Sequence, residues 1–409
     1  MNEIGQQIMA LLDEAATYSE PGPGVTRVLG APEHQRLLVT LRRWFEDAGA
    51  DVLLDGAGNL VGHWAGTNPE APTLIIGSHQ DTVRQGGRYD GIMGVLLPLV
   101  VMQQRYQDGR LLPYSVEIVA FSDEEGTRFS STLVGSAALA GTFDPALLEA
   151  VDADGVTMTQ ALRDLGADPE RIPEAARDPE RVSGFLEVHI EQGPVLESED
   201  LPVGIVTAIT GIERHDISLV GKAGHAGTTP MHLRKDALVA ASEVVQLLDD
   251  LCRQTEDLVG VVGQLAVIPG AVNVIPGRVN LSLELRSPRS EVRRQARERL
   301  LGQIDQAVQR RGLDWEHRLN YEQEEVTCSE RVQAALAEAI QSQGFSPRYL
   351  FSGAGHDGLA MASLTDIGML FMRCRDGLSH HPDEAVRVDD LAATARTLDA
   401  FLDRWSESS

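Results

Sequence analysis

The stretch 71–95, APTLIIGSHQDTVRQGGRYDGIMGV, decides the fold. Its first six residues, Ala71–Ile76, are an apolar run of strand length that breaks off at Gly-Ser-His79-Gln-Asp81. Asp90-Gly91 then opens a segment, 91–107, whose apolar residues fit a buried helix. The same rhythm continues outward. Tyr114–Phe121 (YSVEIVAF) and Gly184–His189 (GFLEVH) are further strand-length runs, and Gly368–Met372 (GMLFM) reads as a buried strand near the C-terminus. Strands alternating with helices argue for an α/β sheet that is at least partly parallel.

Around Thr210 the rhythm changes. Residues 211 to about 325 read as strand, glycine-rich turn, and a long helix Leu233–Thr255 opened by Thr-Thr-Pro. Strands near Leu258–Val267 and Arg278–Leu285 and a helix Glu291–Arg311 follow, an α+β unit inserted into the first. A length of 409 residues leaves room for two or three domains. The segment Asp164–Glu180, rich in Pro, Arg and Asp, reads as a solvated connection.

Composition narrows the function classes. The chain has 35 Lys and Arg against 61 Asp and Glu, a net charge of −26, and its only lysines are Lys222 and Lys235. Phosphate backbones and anionic leaflets repel such a chain, which argues against nucleic-acid and membrane-surface roles. Cys252, Cys328 and Cys374 are far apart and odd in number, which suits a reducing compartment. The N-terminus, MNEIGQQIMALLDEAATYS, reads as an amphipathic acidic helix without a basic leader, and no apolar run reaches spanning length. A cytoplasmic protein is expected.

Open α/β sheets build sites at the carboxyl ends of their strands. Here the strands deliver His79, then Asp123-Glu124-Glu125, then His189; Asp90 stands at a helix start and His380-His381 near the C-terminus. Imidazoles and carboxylates together suit Zn²⁺, Mn²⁺, Co²⁺ or Ni²⁺. Five candidate ligands, His79, Asp90, Glu125, His189 and His380, exceed what one catalytic zinc uses. They suit two metals about 3.5–4 Å apart that share a bridging carboxylate and a water. Of the adjacent Glu124 and Glu125, one would face the metals and the other the water as general base. Gly353–Gly358 spells G-x-G-x-x-G, but too little chain follows it for a dinucleotide domain. It reads as a turn that presents His356 to a ligand. The Gly221–Gly227 stretch lacks the end of a phosphate loop and exposes His225 on a hairpin-like tip. His381 reads as structural, beside a proposed ligand.

Several motifs together carry a resemblance: GSHQDTVRQGGRYDGIMGV (77–95), DEEGTRF (123–129), VHIEQGPVLE (188–197), GHAGTTPM (224–231), VNVIPG (272–277), SGAGHD (352–357) and LSHHPDE (378–384). In this order and over nearly the whole chain they resemble the di-metal amidohydrolases that cleave N-carbamoyl groups, a group of the carboxypeptidase- and aminoacylase-like clan. It includes allantoate amidohydrolase, N-carbamoyl-L-amino-acid hydrolase and β-ureidopropionase. The resemblance implies an α/β catalytic domain with a mixed, mostly parallel sheet flanked by helices, built from 1–210 and 326–409. The insert 211–325 would be a smaller α+β lid and dimerisation domain.

It also implies roles. His79, Asp90 and His189 would hold one metal, with Asp90 bridging to a second held by Glu125 and His380, and Glu124 would be the general base. Gln192, Asn273, Arg286 and His356 match substrate-binding positions. His225 would reach into the partner subunit's site and stabilise the oxyanion. The expected reaction is attack of metal-bound hydroxide on a ureido carbonyl of a small anionic ureido acid, releasing ammonia and carbon dioxide. VTAITG (206–211) and SGAGHD lean towards allantoate over simple N-carbamoyl-L-amino acids. The alternatives are an N-acyl-L-amino acid deacylase or dipeptidase of the same clan, against which His189 argues, and a non-catalytic paralogue. Glu284 and Gly358 depart from residues common in relatives, Asp and Ala.

Overall fold

The computed structural model describes residues 3–405. The chain divides into two compact units: one runs to Thr207 and resumes at Thr327, and the other is the inserted Ala208–Val326. The expected N-terminal helix is present as Glu3–Ala16, its first two positions lying outside the described residues.

In the first unit the described residues form a nine-stranded sheet. Four strands at its centre, Val116–Phe121, Thr73–His79, Val182–Ile190 and Ile367–Met372, run parallel. The strands beside them, Leu60–Trp64 on one side and Val203–Ile209 on the other, are antiparallel. The central strands are buried nearly end to end, as their unbroken apolar runs require of parallel strands covered on both faces. The helix Met93–Gln107 packs against three of these strands, and it touches Glu3–Ala16 and Val388–Trp405 as well. It is buried on all sides from Met93 to Met102, so its apolar residues show no single-faced period. Asp164–Glu180 is not merely a solvated connection. It holds two short 3₁₀ turns, Pro169–Ala175 and Pro179–Arg181, capped by Asp168 and Asp178, and Ile172 joins the core.

The inserted unit is a four-stranded antiparallel sheet ordered Asp314–Gln323, Gly211–Val220, Arg278–Ser287, Val259–Ile268. The helices Ala237–Gln254 and Ser290–Arg310 pack on it around Leu219, Val244, Leu281, Leu285, Leu300 and Ile304. The first of these helices starts four residues later than Leu233. Asp236 accepts a hydrogen bond from the Leu238 N–H at 3.0 Å and is the stronger N-cap, while Met231–Leu233 forms a separate 3₁₀ turn. Among the described residues no helix is long and apolar enough to cross a membrane.

Arg293 is wholly buried beneath this second sheet. It pairs with Glu213 at 3.1 Å and with Glu325 at 3.2 Å, and its guanidinium fills the place a side chain at Gly211 would need. Removing one partner of a buried pair leaves the other desolvated and uncompensated. Arg293→Met should therefore cost roughly 3 kcal/mol of stability, read as a lowered urea midpoint.

Candidate metal centre

The parallel register brings the chemistry to one edge. Ile76 pairs with Leu186 and His79 with Phe121, while His189 pairs with Phe371. His79 and His189 therefore stand level at the carboxyl ends of neighbouring strands. Glu124 and Glu125 follow Phe121 by a tight turn, and His380 lies on the loop that follows the Phe371 strand. Asp90 comes from the turn before the Met93–Gln107 helix. The turns are strained: Asp123, Gln192 and His380 adopt left-handed φ of 50°, 57° and 55°. Such residues cost about 1 kcal/mol each and cluster where a site over-determines the backbone. Gly91, at φ 68°, answers a closer demand, since a Cβ there would lie 2.4 Å from the His79 ring.

Asp90 is the centre of the arrangement. Its Oδ1 lies 3.4 Å from His79 Nε2 and 3.1 Å from His189 Nε2, and its Oδ2 lies 3.3 Å from His380 Nε2. Glu125 Oε1 is 3.5 Å from the same His380 nitrogen. His79, Asp90 and His189 thus form one group of converging donors, and Asp90, Glu125 and His380 form another. His79 with Glu124 and Glu125, and Glu187 with His189 and His356, converge as well.

The donor chemistry fits metal ions. His79 Nδ1 donates to the Asp81 carbonyl at 3.0 Å, and His189 Nδ1 donates to the Ile190 carbonyl at 2.9 Å. With the proton on Nδ1, each neutral imidazole has its lone pair at Nε2, the atom beside the Asp90 oxygen. Two lone pairs turned on each other repel unless a cation stands between them. The spacing suits one, because corners about 2.1 Å from a tetrahedral centre are roughly 3.4 Å apart. Backbone carbonyls behind the imidazoles are the usual orienting partners of metal-binding histidines.

Electrostatics points the same way. Burial alone would raise the Asp90 pKa, but contacts from His189, His380 and His79 hold it well below the carboxylate range. Burial would lower the His79 and His189 pKa values, yet Asp90 and neighbouring carboxylates raise both. The contact with Asp90 lifts His380 to about 9, and burial lifts Glu125 to about 7. Burial, reinforced by Glu125, Asp357 and Asp81, puts Glu124 well above its usual range. The centre demands positive charge, and burial beside other carboxylates raises the affinity of Glu124 for a proton.

The other residues singled out in the sequence fall in several places. Gln192 donates to Asp90 Oδ2 at 2.8 Å and to Ser379 Oγ at 3.1 Å, so it is locked to the central carboxylate. His356 lies in the connection between the Tyr349–Ser352 strand and the Gly358–Met361 helix, and it is buried. Its ring stands 4.6 Å from that of His189, and its Nε2 is 2.6 Å from Ser352 Oγ. His381 is exposed, and its Nδ1 accepts from the Asp383 N–H. In the inserted unit, His225 and Asn273 share a two-stranded ribbon: Gly224–His225 pairs with Val274–Ile275, and the Ala226 N–H donates to the Asn273 carbonyl. His225 is exposed, and its Nδ1 accepts from the Gly227 N–H at 3.1 Å, which leaves Nε2–H as a donor. Arg286 is not beside them. It lies near the far end of the Arg278–Ser287 strand, roughly 25 Å further along at the rise of an antiparallel strand, where its Nε donates to Glu284.

Sequence reasoning overlooked three carboxylates. Asp81 accepts from the N–H groups of Glu124 and Glu125 at 3.0 and 3.2 Å, and so fixes the Asp-Glu-Glu turn to the His79 strand. Glu187 accepts from Ser78 Oγ and the Gly358 N–H, both at 3.0 Å. A charge inside the buried run GFLEVH was the available signal for Glu187. Glu384 accepts from the N–H groups of Tyr89 and Asp90 at 2.8 and 3.2 Å. Nothing local in the sequence announced it.

The fold and this metal-binding edge define a metallohydrolase. The chain matches the Peptidase family M20/M25/M40 over residues 75–404, and it belongs to that metal-dependent family. It is 41% identical over 388 residues, 95% of each chain, to an N-carbamoyl-L-amino acid amidohydrolase of Geobacillus stearothermophilus. An allantoate deiminase of Arabidopsis thaliana is 37% identical over 432 residues, covering 98% of this chain and 82% of its own. Among solved structures, an amidase of the hydantoinase/carbamoylase family from Burkholderia multivorans superposes with a TM-score of 0.92 at 32% identity, over 98% of this chain and 97% of that one. The protein is an enzyme that hydrolyses C–N bonds.

Gly91 offers a test of the centre's geometry. Gly91→Ala should push the His79 ring aside and lower the affinity for zinc or manganese by about 10- to 100-fold, while far-UV circular dichroism stays unchanged. Unaltered metal affinity would contradict the placement of His79.

Proposed function

We propose that this enzyme hydrolyses the ureido C–N bond of a small anionic N-carbamoyl compound. Water is consumed, and ammonia, carbon dioxide and the free amine are released. The observation that carries this reading is the Asp90 carboxylate, with one oxygen turned to His79 and His189 and the other to His380 beside Glu125. That arrangement supports two divalent ions, of the zinc, manganese, cobalt or nickel type, sharing one bridging ligand. When bound they would supply Lewis acidity to the substrate carbonyl and acidify a water. Glu124 takes the proton from the attacking water and returns it to the departing nitrogen. The identity of 41% to an N-carbamoyl-L-amino acid amidohydrolase, against 37% to an allantoate deiminase, favours N-carbamoyl-L-amino acids ahead of allantoate.

Arg286 supplies the planar fork that suits the substrate carboxylate, and Glu284 orients it at 2.6 Å. Gln192, bonded to Asp90 Oδ2, and His356, packed against the His189 ring, are the substrate-binding candidates of the unit that holds the centre. The Nε2–H of His225 donates to the oxyanion of the tetrahedral intermediate. Because the His225–Asn273 ribbon and Arg286 stand far apart on the inserted unit, one substrate cannot meet both from a single copy of that unit. The enzyme therefore acts as a homodimer in which each His225 serves the partner's site. The edge strand Val259–Ile268 supports this assembly. It has no charged residue and exposes Val259, Val261, Leu265 and Ile268, where edges of isolated sheets are normally blunted by charge or proline. A second copy paired there would continue the sheet.

Glu124→Gln should lower ammonia release from N-carbamoyl-L-amino acids and allantoate by about 10²- to 10⁴-fold with metal content intact. Retained turnover would remove Glu124 as the base, and no ammonia from any ureido acid with the unmodified enzyme would remove the substrate class. Mixing the inactive Glu124→Gln and His225→Ala proteins and letting subunits exchange should restore about one-quarter of full activity, since half the dimers then hold one intact composite site. No recovery would mean that His225 acts within its own chain or not at all.

A further inference from the structure

Of the five ligand candidates, His79 and His189 stand on strands, Asp90 at a helix entry and Glu125 on the turn after a strand, while His380 hangs on a loop. The side chains of His79 and His189 are 3% and 1% exposed, whereas that of His380 is 50% exposed on a residue with left-handed φ. What fixes the His380 loop is four residues further on. Glu384 is buried, and its Oε1 accepts from the backbone N–H of both Tyr89 and Asp90. Its Oε2 lies 3.3 Å from Ser379 Oγ, and that hydroxyl donates to Asp90 Oδ2 at 2.5 Å. The carboxylate thus ties the residue before His380 to the backbone and the side chain of Asp90, almost 300 positions away. The chain leaves room for it: a Cβ on Gly87 would lie 2.1 Å from Glu384 Cδ.

We propose that Glu384 is a positioning residue that fastens the His380 loop to the Asp90 turn and thereby sets the metal affinity of the Asp90–Glu125–His380 group, with little influence on the His79–Asp90–His189 group. This rests on the two-metal reading given above. Glu384 belongs to none of the converging donor groups. It acts through the places of Asp90 and His380, and its effect falls on the group whose histidine has no strand to hold it. Partners that orient metal ligands in this way typically contribute about 10- to 100-fold in affinity.

Equilibrium dialysis of the whole enzyme against Mn²⁺ or Zn²⁺, with metal counted by mass spectrometry, separates the two sites. The unmodified enzyme should bind two ions per chain. Glu384→Ala should keep the tighter one and bind the other about 10- to 100-fold more weakly. Glu384→Gln keeps an oxygen for the Tyr89 and Asp90 N–H groups and should stay near the unmodified affinity. If the unmodified enzyme binds a single ion, the two-metal reading fails whatever Glu384 does. If it binds two and Glu384→Ala leaves both affinities unchanged, or weakens both equally, the role of Glu384 fails alone. Should Glu384→Ala not fold, Gly87→Ala displaces the intact carboxylate from its cradle and must weaken the second ion selectively; unchanged binding there overturns the proposal.

Discussion

The first unit is organised around one buried carboxylate that faces three imidazoles. Asp90 is taken out of water, a step that for an ionised group costs several kcal/mol unless partners replace the hydration. It receives His79 and His189 on one oxygen and His380, Gln192 and Ser379 on the other. The Asp90 N–H is taken by Glu384. These partners come from positions 79 to 384, so the carboxylate is satisfied only when the sheet is complete and both flanking loops are closed. The site is a consequence of the whole unit's folding, and any slip in register would leave a buried charge exposed to nothing.

Parallel pairing makes that convergence possible. Strands running the same way carry successive ends to a single edge, and there the backbone must turn sharply to send each strand back through a helix. The turns at Asp123, Gln192 and His380 take left-handed conformations that side chains resist, and all three lie at the edge where the candidate ligands meet. Asp81 shows how the strain is contained. By accepting from the Glu124 and Glu125 N–H groups it replaces the hydrogen bonds that the turn cannot make with a neighbouring strand. Glu124, Glu125 and the end of the His79 strand are thereby held in one frame.

Much of this was legible in the chain. Unbroken apolar runs ending in His79, Phe121 and His189 disclosed both the parallel strands and the edge where their residues meet. The first-rank groups were readable because their chemistry is unusual at a strand end. Glu384 and Asp81 were not, because their partners are backbone N–H groups, which every residue carries and no sequence advertises. The helix expected at Leu233–Thr255 starts later: proline after two threonines resembles a helix start, but Asp236 accepts from the Leu238 N–H and takes the cap. The apolar strand Val259–Ile268 looks buried by composition and is exposed in the single chain.

The net charge of −26 acquires a physical meaning at the centre. Asp81, Asp90, Asp123, Glu124, Glu187 and Asp357 are all buried in this unit, and Glu125 is nearly so. Both carboxylate oxygens of Asp123 lack a hydrogen-bond partner among the described residues, and burial raises its pKa well above the usual range. So much negative charge in one place opposes folding unless protons or metal cations offset it. Cations bound there stabilise the folded chain by mass action as well as serving chemistry, because the unfolded chain offers no such convergence. They also reverse the local sign. With cations bound, this edge would carry the opposite sign to the acidic surface of the rest of the chain.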